Sequence, residues 1–167
     1  SSAIPGAEAV IQYAEDNGVI VVMAAGNNGN SSPGYPARYA DDYGIAVGAT
    51  DYNDDFVYNW PGSSAGSDRA GESELQYVTA PGESIYSAWT GGSYATKSGT
   101  SMAAPHVSGI AALLLGYNSS LAASRIEELI ITSASNRTDS LGSSSIDNFT
   151  GQPLEALTSN SVALWQA

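Results

Sequence analysis

The apolar positions change period along the chain. Between residues 5 and 17, Ala7, Val10, Ile11 and Ala14 recur at i, i+3, i+4 and i+7, which predicts a helix with one buried face. Pro5 suits its first turn and Gly18 the position just past its end. Residues 19–25, Val-Ile-Val-Val-Met-Ala-Ala, form a continuous apolar run rich in β-branched residues. Directly after a helix, such a run predicts a central parallel strand buried on both faces. Residues 26–34, Gly-Asn-Asn-Gly-Asn-Ser-Ser-Pro-Gly, are a loop. Residues 44–49 predict a second buried strand, and residues 76–80 and 92–96 two short ones. Residues 61–74 are rich in Gly, Ser and charge and predict an exposed insertion. From Ser101 to about Gly116, Val107, Ile110, Ala111 and Leu114 share a helical face, with Leu113 and Leu115 beside it. A helix so apolar all round should be central. Residues 120–133 predict another helix with Ala122, Ile126, Leu129 and Ile130 inward. The alternation of helices and buried strands places the chain in the α/β class. The 167 residues fit one domain, with no repeat or linker to divide them.

Charge narrows the function classes. Seventeen acidic residues against five basic ones give a net charge of -12, and the isoelectric point is about 4.1. Such a surface repels phosphate backbones and anionic membranes, so neither nucleic acid nor membrane is an expected partner. The longest apolar runs are too short to span a bilayer. There is no Cys and one His, which removes thiolate chemistry and leaves little for a histidine metal site. Only 13% of residues are charged while 43% are hydrophobic; the neutral polar surface this implies suits an exported protein.

Ser101 is the leading candidate for chemistry. It stands at a tight Gly-Thr turn into the apolar helix, where unpaired amides and the positive end of the helix dipole favour developing negative charge. Capping is the simpler role for a Ser before a helix. A nucleophile also needs a base. His106 lies five residues on, about 140° round the helix and roughly 7.5 Å along it, so its imidazole is expected to face away. Lys97 precedes the turn without a helical Ser-x-x-Lys frame.

Residues 99–106, Gly-Thr-Ser-Met-Ala-Ala-Pro-His, resemble the nucleophile signature of the subtilisin-like serine proteases, and the match runs on to Gly109. Ala24-Ala25-Gly26-Asn27 resembles that family's oxyanion-hole segment, 74 residues earlier. Residues 35–39 with 45–51, and Ala80-Pro81-Gly82, are similar to further family segments in the same order. The resemblance implies a three-layer fold with a mostly parallel central sheet flanked by helices, of which this chain is the C-terminal portion. It implies Ser101 as nucleophile, Asn27 as oxyanion donor, and Gly99 and Thr100 as substrate-binding residues beside them. Ala24, Ala25 and Gly26 would form one wall of the substrate pocket, with Gly34 near its base.

The family's triad Asp and His precede the oxyanion segment, and neither of their motifs occurs in this chain. The implied activity is therefore peptide-bond hydrolysis with an N-terminal chain or segment supplying Asp and His, the chain alone being inactive. A non-catalytic module that binds peptides or another chain is the alternative. The resemblance also makes a structural calcium possible, through carbonyls near residues 39–42 with Asp41-Asp42 and Asp54-Asp55 as further oxygens. No cofactor is required for the chemistry, and adjacent Asp pairs are mostly solvated surface, so no metal ligand is assigned. The Asn-x-Ser/Thr triplets at Asn30, Asn118, Asn136 and Asn148 are what a Ser-rich chain produces by chance. Residues 136–167 are expected to be a divergent closing segment.

Overall fold

A computed structural model of the chain describes residues 2–71 and 75–134; the closing segment expected at residues 136–167 lies outside them. Helix α1 (Ala7–Asp16) leads into strand β1 (Val22–Ala24), a short 3-10 turn (Ala37–Asp41) and strand β2 (Ile45–Thr50). Strands β3 (Tyr77–Pro81), β4 (Ile85–Trp89) and β5 (Ser93–Lys97) follow, then helices α2 (Thr100–Tyr117) and α3 (Ala123–Ser133).

Strands β1, β2 and β3 form a parallel sheet in that order, with Val22 opposite Ile45 and Ala46 opposite Tyr77. β2 is buried at every position because its two faces meet different layers. Ile45, Val47 and Ala49 face a cluster with Ala103, Val107 and Ala111 of α2 and Ile126 and Ile130 of α3. Ala46 joins Ile11 of α1, Met23, Ala37 and Ala40 on the other side. Helix, sheet and helix are thus the three layers. Ala103 and Ala111 let α2 lie close on the sheet, and burying Val107 contributes about 2 kcal/mol. β4 and β5 pair separately as an antiparallel hairpin, Ile85 opposite Lys97.

Several expectations change. The apolar run at residues 19–25 yields a strand of three residues, and among the described residues it is an edge strand; β2 takes the central place. Val19 is 54% exposed. In α1 only Ile11 is buried and Val10 faces solvent; Ile11 packs with Met23 of β1, Ala46 of β2, and Ala37 and Ala40 of the 3-10 turn. α2 is covered on one face only: Leu113 and Tyr117 are more than 60% exposed, and Ile110 and Leu115 are also at the surface. It starts at Thr100, so Pro105 is its sixth residue and leaves the Ser101 carbonyl without its i+4 donor. In α3, Ala122 is the exposed cap residue and Glu127 takes an inward place instead.

Residues 61–74 provide the largest correction. The tip at residues 61–64 is exposed, but Gly66, Ser67, Asp68 and Ala70 are buried. The polar composition that suggests an insertion reflects hydrogen bonding to a neighbouring loop.

Candidate active site

The parallel sheet brings the loop after β1 to the N-terminus of α2, and the contacts there are specific. The Asn27 side-chain oxygen, Oδ1, accepts from the Thr100 amide at 2.8 Å and from the Thr100 hydroxyl at 3.2 Å. That hydroxyl in turn accepts from the Gly26 amide at 3.1 Å. Thr100 is fully buried, so these bonds hold their geometry in a poorly hydrated setting. With Oδ1 occupied, the donor end of the Asn27 amide, Nδ2, is left for a ligand. It borders Gly99, where an added Cβ would lie 3.4 Å from it.

Ser101 is the next residue, exposed in the first turn of α2. Its amide has no acceptor within the helix, as for any first-turn N–H. Among the described residues its hydroxyl has no hydrogen-bond partner. A hydroxyl, a helix-terminal amide and an aligned side-chain amide therefore share one surface. The first two come from α2 and the third from a loop more than 70 residues away in sequence.

The turn into α2 is fixed from below. The Gly99 amide donates to the Gly82 carbonyl at 2.8 Å, and the Met102 amide to the Gly99 carbonyl at 2.9 Å. Gly82 has no space for a side chain: a Cβ there would come within 2.6 Å of the Ala49 Cβ and 2.9 Å of the Gly99 oxygen.

The loop carrying Asn27 is held from outside by residues that the sequence reading does not single out. The Trp60 indole donates to the Asn27 carbonyl at 3.3 Å. Gly29 donates to the Gly66 carbonyl, Asp68 to the Gly26 carbonyl and Arg69 to the Asn30 carbonyl, at 2.9, 2.9 and 3.0 Å. The Asp68 carboxylate is 1% exposed. It accepts from the amides of Asn28 at 3.0 Å and Asn30 at 2.7 Å, both on Oδ1, and from Asn30 Nδ2 at 3.3 Å on Oδ2. Gly26 has φ +122°, and a Cβ there would meet Asp68 Oδ2 at 2.2 Å, so both backbone shape and space require glycine. Tyr77 braces Asp68 through a bond from its hydroxyl to the Asp68 carbonyl at 2.8 Å. Burial pushes the Tyr77 phenol well above its ordinary range, keeping it a donor. A lone Asp in a Gly/Ser-rich stretch gives little sign of this in sequence.

Beside Ser101 lies a cavity of about 390 Å³, walled by the hairpin (Ile85, Trp89, Lys97) and by Met102, Pro105 and His106 of α2. Lys97 Nζ sits 4.7 Å from the centre of the Trp89 ring. His106 lines the same cavity as Ser101. Its Nδ1 is 2.9 Å from the Met102 carbonyl, and among the described residues no hydrogen bond joins it to Ser101.

Of the expected substrate-wall residues, Gly26 adjoins Thr100 as described. Gly34 donates to the Ala25 carbonyl at 2.9 Å, and Ala25 to the Val47 carbonyl at 2.9 Å. Ala24 closes β1. Ala24, Ala25 and Gly26 directly precede Asn27 in the chain, and Gly34 is tied to them through Ala25. At the residues considered for calcium, backbone carbonyls take part in local hydrogen bonds. The Tyr39 carbonyl accepts from Asp42 and Tyr43, and the Ala40 carbonyl from Gln76. Among the described residues, no three acidic or histidine side chains converge.

The chain is similar to known proteins over most of its length. The profile of the Subtilase family matches residues 1–152. The chain is 42% identical over 134 residues to Subtilisin DY of Bacillus licheniformis, covering 78% of this chain and 44% of that protein. It is 45% identical over 109 residues to Thermitase of Thermoactinomyces vulgaris, covering 65% and 35%. Among solved structures, a cold adapted subtilisin-like serine proteinase superposes with a TM-score of 0.69 at 34% identity, covering 84% of this chain and 48% of that one. Sphericase gives 0.63 at 35% identity, covering 77% and 44%. The chain thus spans less than half the length of these relatives.

Proposed function

Because the chain belongs to the subtilase family, we propose that it supplies the nucleophile and oxyanion pocket of a serine endopeptidase acting on polypeptides. Ser101 Oγ attacks the scissile carbonyl carbon. As the carbonyl bond opens, its oxygen becomes an anion between the Ser101 amide and Asn27 Nδ2. The Ser101 proton passes to the base of the partner segment during attack and on to the amine as the C–N bond breaks and the acyl-Ser101 ester forms. Water, giving its proton to the same base, then releases the acid and restores the Ser101 hydroxyl. Ala24, Ala25, Gly26 and Gly34 line the substrate on one side, and Gly99 and Thr100 shape the turn beneath it.

One observation carries this reading: Thr100 occupies both acceptor directions of Asn27 Oδ1, leaving Nδ2 aimed beside a helix-terminal serine. An Asn serving only as a turn residue needs no such arrangement. The base and its orienting carboxylate are assigned to a partner segment carrying the triad His and Asp. The apolar outer face of α2 (Ile110, Leu113, Leu115) supports such a partner, since it offers surface for another segment to cover. The reading includes an extracellular setting, supported by the sparse charge and neutral polar residues of the surface. No step is routed through a metal.

The test is active-site labelling of the full-length protein that carries this chain. A fluorophosphonate is expected to modify Ser101, located by peptide mass spectrometry, and Ser101→Ala is expected to abolish both the adduct and casein hydrolysis. A folded protein that takes no adduct overturns the reading and leaves the family fold as a non-catalytic peptide-binding module.

A further inference from the structure

We propose that Asp68 is the positioning residue of the oxyanion donor, its buried carboxylate holding the loop at residues 26–30 so that Asn27 Nδ2 meets the developing charge. This rests on the peptidase reading above, which assigns Asn27 its role but not what keeps it in place.

Asn27 is one residue on an exposed loop, and a loop of Gly and Asn is free to sample many conformations. Both peptide groups that flank it are fixed by the segment at residues 60–68. On one side the Gly26 carbonyl accepts from the Asp68 amide. On the other, the Asn27 carbonyl accepts from Trp60 and the Asn28 amide donates to the Asp68 carboxylate. Asp68 therefore grips the chain both before and after Asn27, once through its backbone and once through its side chain.

The chemistry of the group matters as much as its place. Two amides, Asn28 and Asn30, converge on one oxygen, Oδ1, while Asn30 Nδ2 reaches the other. Bonds to an ionised acceptor are shorter and about twice as strong as neutral ones. Among the described residues no cation pairs with Asp68, so backbone amides are what offset its burial. A carboxylate held in this way resists rotation, because turning it would strand a charge. Asp68 touches neither substrate nor the reacting atoms; it acts through Asn27.

The test is a double-mutant cycle in the full-length protein. Asp68→Asn keeps an oxygen for the two amides but removes the charge and the second acceptor. In the parent background it is expected to lower kcat about 30-fold with KM changed less than about twofold, the pattern of a lost transition-state contact. In an Asn27→Ala background the same substitution should cost less than about threefold, since there is no donor left to misplace. Equal losses in both backgrounds overturn the proposal and make Asp68 a matter of loop stability. Asn30→Ala, at an exposed side chain, removes one bond to Oδ2 and is expected to lower kcat by about threefold without changing the melting temperature, and no change in kcat counts against the proposal.

Hydrogen exchange at the Thr100 amide, whose acceptor is Asn27 Oδ1, reads the same coupling without any activity. Asp68→Asn should speed that exchange at least about tenfold while the β2 amides stay protected. If the parent shows no Ser101-dependent hydrolysis, the peptidase reading fails, and this exchange alone decides whether Asp68 positions Asn27. An unchanged Thr100 rate then refutes it.

Discussion

Replacing Glu127 by Gln should make the protein's stability less sensitive to pH, and the structure sets the size of the effect. Glu127 lies on α3 at 2% exposure, and among the described residues its Oε1 has no hydrogen-bond partner. Burial and the facing carboxyl of Glu15 on α1 raise its pKa from 4.5 to about 7. Glu15 is itself committed to the Gly44 amide at 3.0 Å. A pKa raised on folding means that the folded chain holds the proton more tightly than the unfolded chain does. The stability this gives is complete below pH 4.5 and is lost as pH rises to about 7. At about 1.4 kcal/mol per pH unit the loss is about 3 kcal/mol. Gln carries no titrating proton, so that dependence should vanish from the variant. The buried amide has its own cost of about 1–3 kcal/mol, but the cost is the same at every pH. The diagnostic quantity is therefore a slope. Urea titrations at pH 4, 5, 6, 7 and 8.5 should show Glu127→Gln gaining on the parent by about 3 kcal/mol across the series. Parallel pH profiles, or a variant that loses ground as pH rises, would refute the reasoning.

Three further outcomes follow from the site. In the full-length protein, Asn27→Leu should lower kcat by about 100- to 1000-fold with KM nearly unchanged, as measured on a chromogenic peptide. Thr100→Val keeps the shape but strands the Gly26 amide, and should cost about 1–3 kcal/mol in urea unfolding together with a fall in kcat; an unchanged kcat would detach Thr100 from the orientation of Asn27. Gly82→Ala forces a Cβ against Ala49 and the Gly99 carbonyl, so a loss of about 1–3 kcal/mol is expected by thermal unfolding, with fluorophosphonate labelling slowed because the turn before Ser101 shifts.

Elements with a strong local pattern were legible in sequence. The i, i+3, i+4 spacing locates α1 and α3 to within a few residues, and the glycine-bounded apolar run locates β2 to within one. The string at residues 99–109 places Ser101 at a helix start, where the structure has it. Relations between distant segments were not legible. That residues 19–25 give an edge strand depends on which strands pair beside it, and that Glu127 turns inward depends on what α1 presents to it. β4 was missed because its exposed Tyr86, Ser87 and Ala88 show no clean alternation. The brace around Asn27 was invisible because three of its bonds run backbone to backbone, and the rest depend on isolated side chains whose spacing follows no pattern. Only Asp68 and Trp60 could have signalled it.

The segment that braces Asn27 has a root and a tip with opposite tolerances. At the root, an added Cβ on Gly66 would fall 2.0 Å from the Tyr58 carbonyl oxygen, so neither bulk nor an extra residue fits. Two bonds then close the base of a turn: the Trp60 amide donates to the Ala65 carbonyl at 2.8 Å, and the Ser63 amide donates to the Trp60 carbonyl at 2.9 Å. Beyond them Pro61, Gly62, Ser63 and Ser64 face solvent, and nothing lies within 4 Å of a Cβ built on Gly62. Chain length is therefore a free variable at the tip, where doubling a loop costs only about 0.6 kcal/mol. Relatives can diverge in length there without disturbing Asn27, and a tag or fluorophore grafted between Gly62 and Ser63 would sit on the far side of that bonded base.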